Sequence, residues 1–143
     1  MEQLQLALNK VLADTFGMYY KAHTYHWNIV GQDFYQYHLF LNEIYQELFA
    51  AVDSIAEFLK AIDGYPPKKL SSLQQMMSII ESEPVNALDM INDLSVTNNL
   101  VLVSLMRAYQ LADDAGELGV SNFIQDRIGV HQKHGWMLKA TLK

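Results

Sequence analysis

The stretch Phe34 to Ile62, FYQYHLFLNEIYQELFAAVDSIAEFLKAI, decides the fold. Apolar residues return every three or four positions, at Tyr37, Leu41, Ile44, Leu48, Val52, Ile55, Leu59 and Ile62, the spacing of one face of an α-helix. A helix with such a seam packs it against other helices in a bundle. Beside the seam lies a second stripe, His38, Asn42, Tyr45, Phe49, Asp53 and Ala56, with Glu57 one turn after Asp53. The helix is therefore apolar over a wider arc than its own bundle requires. One arc packs inside the chain, and the other fits a partner.

The rest of the chain carries the same period. From Leu4 to about Ile29, Leu4, Ala7, Val11, Leu12, Phe16, Tyr19 and Tyr20 predict a first helix, which Asn28 to Asp33 closes. After Gly64-Tyr65-Pro66-Pro67 the chain cannot stay helical, and Ser71 or Ser72 is placed to cap a short helix through Ile80. Pro84 suits the first turn of a third long helix reaching about Ala115, with Ala87, Leu88, Ile91, Leu94, Val101, Leu105 and Ala108 inward. Gly116 and Gly119 end it, and Ser121 is placed to cap a fourth running to about Leu142. No segment alternates with the period of a strand. The expectation is an all-α bundle of four long helices, with a short extra helix between the second and third, in one domain over 1–143.

Composition narrows the chemistry. The 143 residues include no Cys, which excludes disulfides, thiolate metal sites and a Cys nucleophile, so any metal is held by nitrogen and oxygen. With 10 Lys+Arg against 16 Asp+Glu the formal charge is −6, which favours cations over nucleic acid. Met1 to Lys10 lacks the basic-then-apolar layout of a leader, and the longest apolar runs, such as Asn99 to Met106, are too short to span a bilayer. A soluble, cytoplasmic protein is expected.

Metal-capable residues sit on the second stripe. Asp53 and Glu57 are four apart on one face, as are His38 and Asn42. His38 and Asp53 differ by about 60° around the helix axis but by about 22 Å along it, so they cannot share an ion within one chain. Two copies of the helix packed antiparallel about a two-fold axis would bring His38 of one toward Asp53 and Glu57 of the other, and would do so twice. His26, near the end of the first helix with His23 and Trp27, is placed to join His38 there. Imidazole plus carboxylate suits Fe(II), Zn(II) or Mn(II), and carboxylates favour iron once it is oxidised. Taken singly these residues have plainer readings: an Asp-x-x-x-Glu on a helix is ordinarily a solvated face, and a lone His is ordinarily structural. His131 and His134 share a face of the last helix with no carboxylate near them in sequence, which favours packing or surface roles.

Taken together, the residues resemble a known family. Tyr25-His26-Trp27-Asn28, Gly31, Phe34, His38 and Asp53-Ser54-Ile55-Ala56-Glu57, with His131, Lys133 and Trp136-Met137-Leu138 near the other end, resemble the Dps-like mini-ferritins, ferritin-like proteins of starved cells that oxidise and store iron. The likeness spans nearly the whole chain. It implies a ferritin-like four-helix subunit of a hollow dodecamer, with a ferroxidase centre at each two-fold interface. His26 and His38 of one subunit and Asp53 and Glu57 of its mate would be the iron ligands, and Trp27 the aromatic that takes up oxidising equivalents. The reaction implied is oxidation of Fe(II) by hydrogen peroxide or dioxygen, with Fe(III) stored inside as protection against oxidative stress.

Two departures matter. Asn42 stands where the family usually has Asp, so the centre carries two carboxylates instead of three, and slow or mononuclear oxidation is expected. Phe58 stands where Arg commonly follows the Glu, which removes a supporting ion pair. The resemblance also implies cation entry through acidic three-fold pores, for which this chain offers Asp113, Asp114, Glu117 and Asp126, with Asn122 where a further acid is expected. Members that bind DNA often use a basic tail. This chain has only Lys10 near one end and Lys139 and Lys143 near the other, so strong DNA binding is not expected. Two rival readings are a Dps-like shell with weakened or lost oxidation, acting by metal sequestration or DNA protection, and a helical adaptor docking through the second stripe.

Overall fold

The computed structural model describes all of residues 1–143 and contains five helices and no strands: α1 (Glu2–Asn28), α2 (Phe34–Ala61), α3 (Leu70–Met76), α4 (Ala87–Asp114) and α5 (Leu118–Leu142). The all-helical architecture with a short third helix is the one expected from the period of the sequence.

Side-chain pairings give the directions. Gln5 donates to the Ile62 carbonyl at 2.8 Å while His26 meets His38, so α1 and α2 run antiparallel. Asp14 meets Ser104 while Lys21 meets Asp93, so α1 and α4 are antiparallel as well. Consequently α2 and α4 are parallel, joined by the long crossover that carries α3. Phe58 stacks on Phe123, with ring centroids 4.4 Å apart and planes at 16°, tying α2 to α5 through carbon contacts where an Arg would have offered an ion pair.

The core lies where the α2 seam points. Leu41, Ile44, Leu48, Ile55, Leu59 and Ile62 are buried, Tyr37 and Val52 half-buried, and they pack with Leu4, Leu8, Val11, Met18, Ile91, Leu94, Val101, Leu105, Ile124 and Leu138. Two residues read as inward are outward: Tyr20 and Leu88 are exposed, while Met18 and Met90 beside them fill the interior.

The short elements depart from the expectation because α1 competes for their backbone groups. The third helix begins at Leu70, with Lys69 as its cap, and stops at Met76 instead of Ile80. Beyond it, the Ser78 amide and hydroxyl donate to Asp14 at 2.6 and 2.7 Å, and the Ile80 carbonyl accepts from Lys21 at 2.7 Å. These bonds hold 77–80 as a strap along α1. A Cβ on Gly17 would sit 2.8 Å from Ile79 Cγ1, so the strap lies this close only because residue 17 has no side chain. Pro84 does not open α4. Asn86 caps it, accepting from the Asp89 amide at 2.9 Å while its own amide group donates to the Asp89 carboxylate at 2.8 Å, a reciprocal cap that sets the start at Ala87. Ser121 lies inside α5, which starts after Glu117. At the end of α2 a Cβ on Gly64 would meet Leu59 Cδ1 at 2.3 Å, so the tight return after Asp63 requires glycine.

Candidate metal centre

The end of α1 and the start of α2 bring His26 and His38 face to face. Their rings stack at 3.7 Å with planes 13° apart. Each ring's Nδ1 lies 2.8 Å from the other residue's backbone carbonyl. A carbonyl only accepts, so each Nδ1 carries the proton and each Nε2 keeps its lone pair. The turn between the helices thus orients both rings so that the neutral form has Nε2 free, the form in which histidine binds a metal, each held by the outer hydrogen bond that metal-binding histidines ordinarily make.

The carboxylates are elsewhere. Asp53 and Glu57 are exposed on the same side of α2 but farther along it, and no three His, Asp or Glu side chains of one chain come together closely enough to hold an ion. This is the separation that the helix arithmetic requires. Asn42, one turn after His38, has its amide oxygen engaged by the Gln46 side chain at 3.1 Å, so its only ligating atom already accepts a hydrogen bond. Around the histidines the surface is uncovered: Trp27 at the end of α1 and Phe34, Tyr35, Leu39 and Phe49 of α2 are exposed. Trp27 lies over His23, 4.0 Å between rings. His23 stacks on Tyr45 at 3.8 Å with planes 8° apart, and burial, helped by the neighbouring His26, lowers its pKa.

His131 and His134 do not reach this centre. They belong to a buried polar network in the middle of the bundle that sequence reading missed. Glu47 of α2 takes a bidentate Arg127 and accepts from or pairs with His134 Nε2 at 2.9 Å. Arg127 also reaches His131 Nε2 at 3.0 Å, and Asn98 of α4 closes the network with a 2.8 Å contact to His131 Nδ1 and a 2.8 Å donation to the His131 carbonyl. Arg127 has no lone pair to offer, so the imidazole accepts at Nε2 and donates from Nδ1 to the Asn98 oxygen. Burial, then the positive Arg127, pushes His131 down to about 3. Burial alone would raise Glu47; hydrogen bonds from His134 and Arg127 outweigh it and pull the carboxyl down to about 2. The missing carboxylate was Glu47, bonded directly to His134 and linked to His131 through Arg127, more than eighty positions away in the chain. The one signal for it was a Glu on the flank of the buried seam, directly before Leu48.

The acids named for a pore, Asp113, Asp114 and Asp126, are exposed, and Glu117 is half-buried, all near the α4–α5 junction. No helix is long and apolar enough to cross a membrane.

Comparison with known proteins agrees with this architecture. The ferritin-like domain model matches residues 5–143. General stress protein 20U of Bacillus subtilis is 32% identical over 99% of this chain and 98% of its own length. DNA protection during starvation protein 2 of Bacillus anthracis is 29% identical over 99% of this chain and 97% of its own. The crystal structure of the Vibrio cholerae Dps protein, described as a member of a broad superfamily of ferritin-like diiron-carboxylate proteins, superposes with a TM-score of 0.94 at 29% identity, covering 99% of this chain and 90% of that one. Matched over residues 5–143 by the ferritin-like model and over nearly its whole length by these relatives, the chain belongs to the ferritin-like family as a Dps-like mini-ferritin.

Proposed function

We propose that the protein binds Fe(II) at centres shared across two-fold interfaces, oxidises it with peroxide or dioxygen, and stores the Fe(III) inside a shell of twelve copies in the cytoplasm. The observation that carries this reading is the reciprocal hydrogen bonding of His26 and His38 through Nδ1, which leaves their two Nε2 atoms unengaged on an uncovered apolar face. Iron is substrate and cargo here. Asp53 and Glu57 of the two-fold mate supply the anionic oxygens, and with both imidazoles neutral the two carboxylates offset the charge of one Fe(II). His26 joins them at the tighter position, and His38 serves a second, weaker one. Trp27 stands beside the centre as an oxidisable aromatic, and the exposed acids near the α4–α5 junction draw cations toward the shell.

A second reading has a specific observation behind it. The Asn42 oxygen that would complete the second position is neutral and engaged by Gln46, which favours a shell whose oxidation is slow or lost and which acts by sequestering metal. The test is anaerobic Fe(II) titration of the purified protein, then peroxide or air, reading ferric absorbance and iron per subunit. Saturable binding followed by oxidation above the buffer rate, with a soluble iron core, supports the ferroxidase. Binding without oxidation supports the sequestering shell, and no binding overturns both. A monomer on size-exclusion chromatography would return the chain to a helical adaptor.

A further inference from the structure

A ladder of aromatic and imidazole rings leads from the histidine pair into the chain. The Tyr45 ring lies 5.0 Å from that of His26 and stacks on His23. Tyr19 follows, its ring 6.3 Å from Tyr45 and 5.5 Å from His23, with its hydroxyl 3.0 Å from His23 Nδ1. Phe16 and Phe49 flank Tyr19 at 5.6 and 5.1 Å and leave it half-buried. Two tyrosines therefore stand within short electron-transfer distance of the centre, and only Tyr19 of the two is hydrogen-bonded to a base. A phenol that loses an electron becomes a strong acid, so a hydrogen-bonded neutral imidazole lowers the barrier to its oxidation by taking the proton.

The centre has a use for that electron. Peroxide needs two electrons to become water, and one Fe(II) supplies one. A centre weakened at its second position by Asn42 would then release hydroxyl radical unless a side chain makes up the difference.

We propose that Tyr19, hydrogen-bonded to His23, is a redox tyrosine that supplies the second electron when peroxide is reduced at a centre holding a single Fe(II). The inference rests on the ferroxidase reading above. The O–O bond breaks. Fe(II) gives one electron and becomes Fe(III); Tyr19 gives the other and becomes a neutral phenoxyl radical. The phenol proton passes to His23 Nδ1, two protons from solvent join the peroxide oxygens, and two waters leave. Atoms and charge balance: Fe(II), H2O2, TyrOH, His and 2H+ yield Fe(III), 2H2O, TyrO• and HisH+. Tyr19 acts on the reacting atoms only through the ladder, and His23 is its positioning base.

The experiment has two arms, both read by electron paramagnetic resonance on the assembled protein. In the first, the metal-free protein is oxidised by a photogenerated one-electron ruthenium(III) oxidant and frozen. A tyrosyl signal that falls several-fold in both Tyr19→Phe and His23→Gln is expected, since glutamine keeps a polar contact but takes no proton. An undiminished signal in Tyr19→Phe overturns the proposal. In the second, protein holding one Fe(II) per centre receives one equivalent of peroxide. The wild type is expected to show the tyrosyl signal and little spin-trapped hydroxyl radical, and Tyr19→Phe the reverse. Ferric absorbance with no tyrosyl radical in the wild type overturns this inference and leaves the ferroxidase standing. No ferric absorbance at all overturns the ferroxidase reading, and this one with it.

Discussion

In the proposed centre, Asn42 is the residue on which the chemistry turns. Its amide is isosteric with the aspartate usual in the family, so the fold tolerates it, but it contributes no charge and its oxygen is occupied by Gln46. Asn42→Asp restores a third carboxylate beside His38 and frees it to compete with the Gln46 contact for a cation. The expected result is a second Fe(II) per centre and oxidation faster by about tenfold or more, since about 1.4 kcal/mol of added transition-state stabilisation is a factor of ten. Stopped-flow ferric absorbance and anaerobic iron titration check both. No gain in either would mean that the carboxylate does not face the metal. The histidines themselves were legible as candidates from sequence, but the tautomer that frees both Nε2 atoms was not, because it depends on two carbonyls across a turn whose course only the folded chain defines.

Elements were legible in proportion to their periodicity. The four long helices follow from the 3.6-residue period, and the α2 seam is buried as read. The crossover was misjudged at both ends of α3 because its backbone is satisfied by distant groups, Asp14 and Lys21, that local propensity does not register. Asp14 is wholly buried and accepts from the Ser78 amide and hydroxyl and from the Ser104 hydroxyl, joining α1, the strap and α4. Asp14→Ala orphans those donors and is expected to destabilise the protein by about 2–4 kcal/mol. Equilibrium urea unfolding at fixed protein concentration reads the loss, and limited proteolysis should cut first at the strap. The Glu47–Arg127–His131–His134 network makes a separate prediction about acid. The folded-state pKa of His131 lies near 3, below its usual 6.5, so the unfolded chain binds a proton there that the folded chain refuses. Stability from this group is complete above 6.5 and is lost as the pH falls toward 3, by about 1.4 kcal/mol per unit. Glu47, lowered from 4.5 to about 2, adds to the loss only below 4.5. His131→Gln keeps a donor for Asn98 and an acceptor for Arg127 but takes no proton. Its stability should therefore fall less steeply than the wild type between pH 6.5 and 4.5, measured by urea unfolding across that range.

At the scale of the whole molecule, the length of α2 is what makes the proposed centre an intersubunit object. A 28-residue helix carries His38 near one end, stacked on His26 of α1, and carboxylates about four turns away, and no folding of one chain closes that gap. The proposed two-fold pairing would close it twice, and each centre would then take its imidazoles from one subunit and its carboxylates from the other. This makes a complementation experiment decisive. His26→Ala/His38→Ala subunits lack every imidazole of the centre, and Asp53→Ala/Glu57→Ala subunits lack every carboxylate, so each assembly alone should oxidise no iron above background. In a mixed dimer one centre inherits both defects and the other inherits neither. Unfolding and reassembling equal amounts makes half the dimers mixed, each with one intact centre of two, so about a quarter of the wild-type centres return under random two-fold pairing. Ferric absorbance and tight Fe(II) sites should both recover to that level, and mixing the intact assemblies without dissociation should recover nothing. If all four residues instead served one centre within a chain, no mixture of the two variants would regain activity.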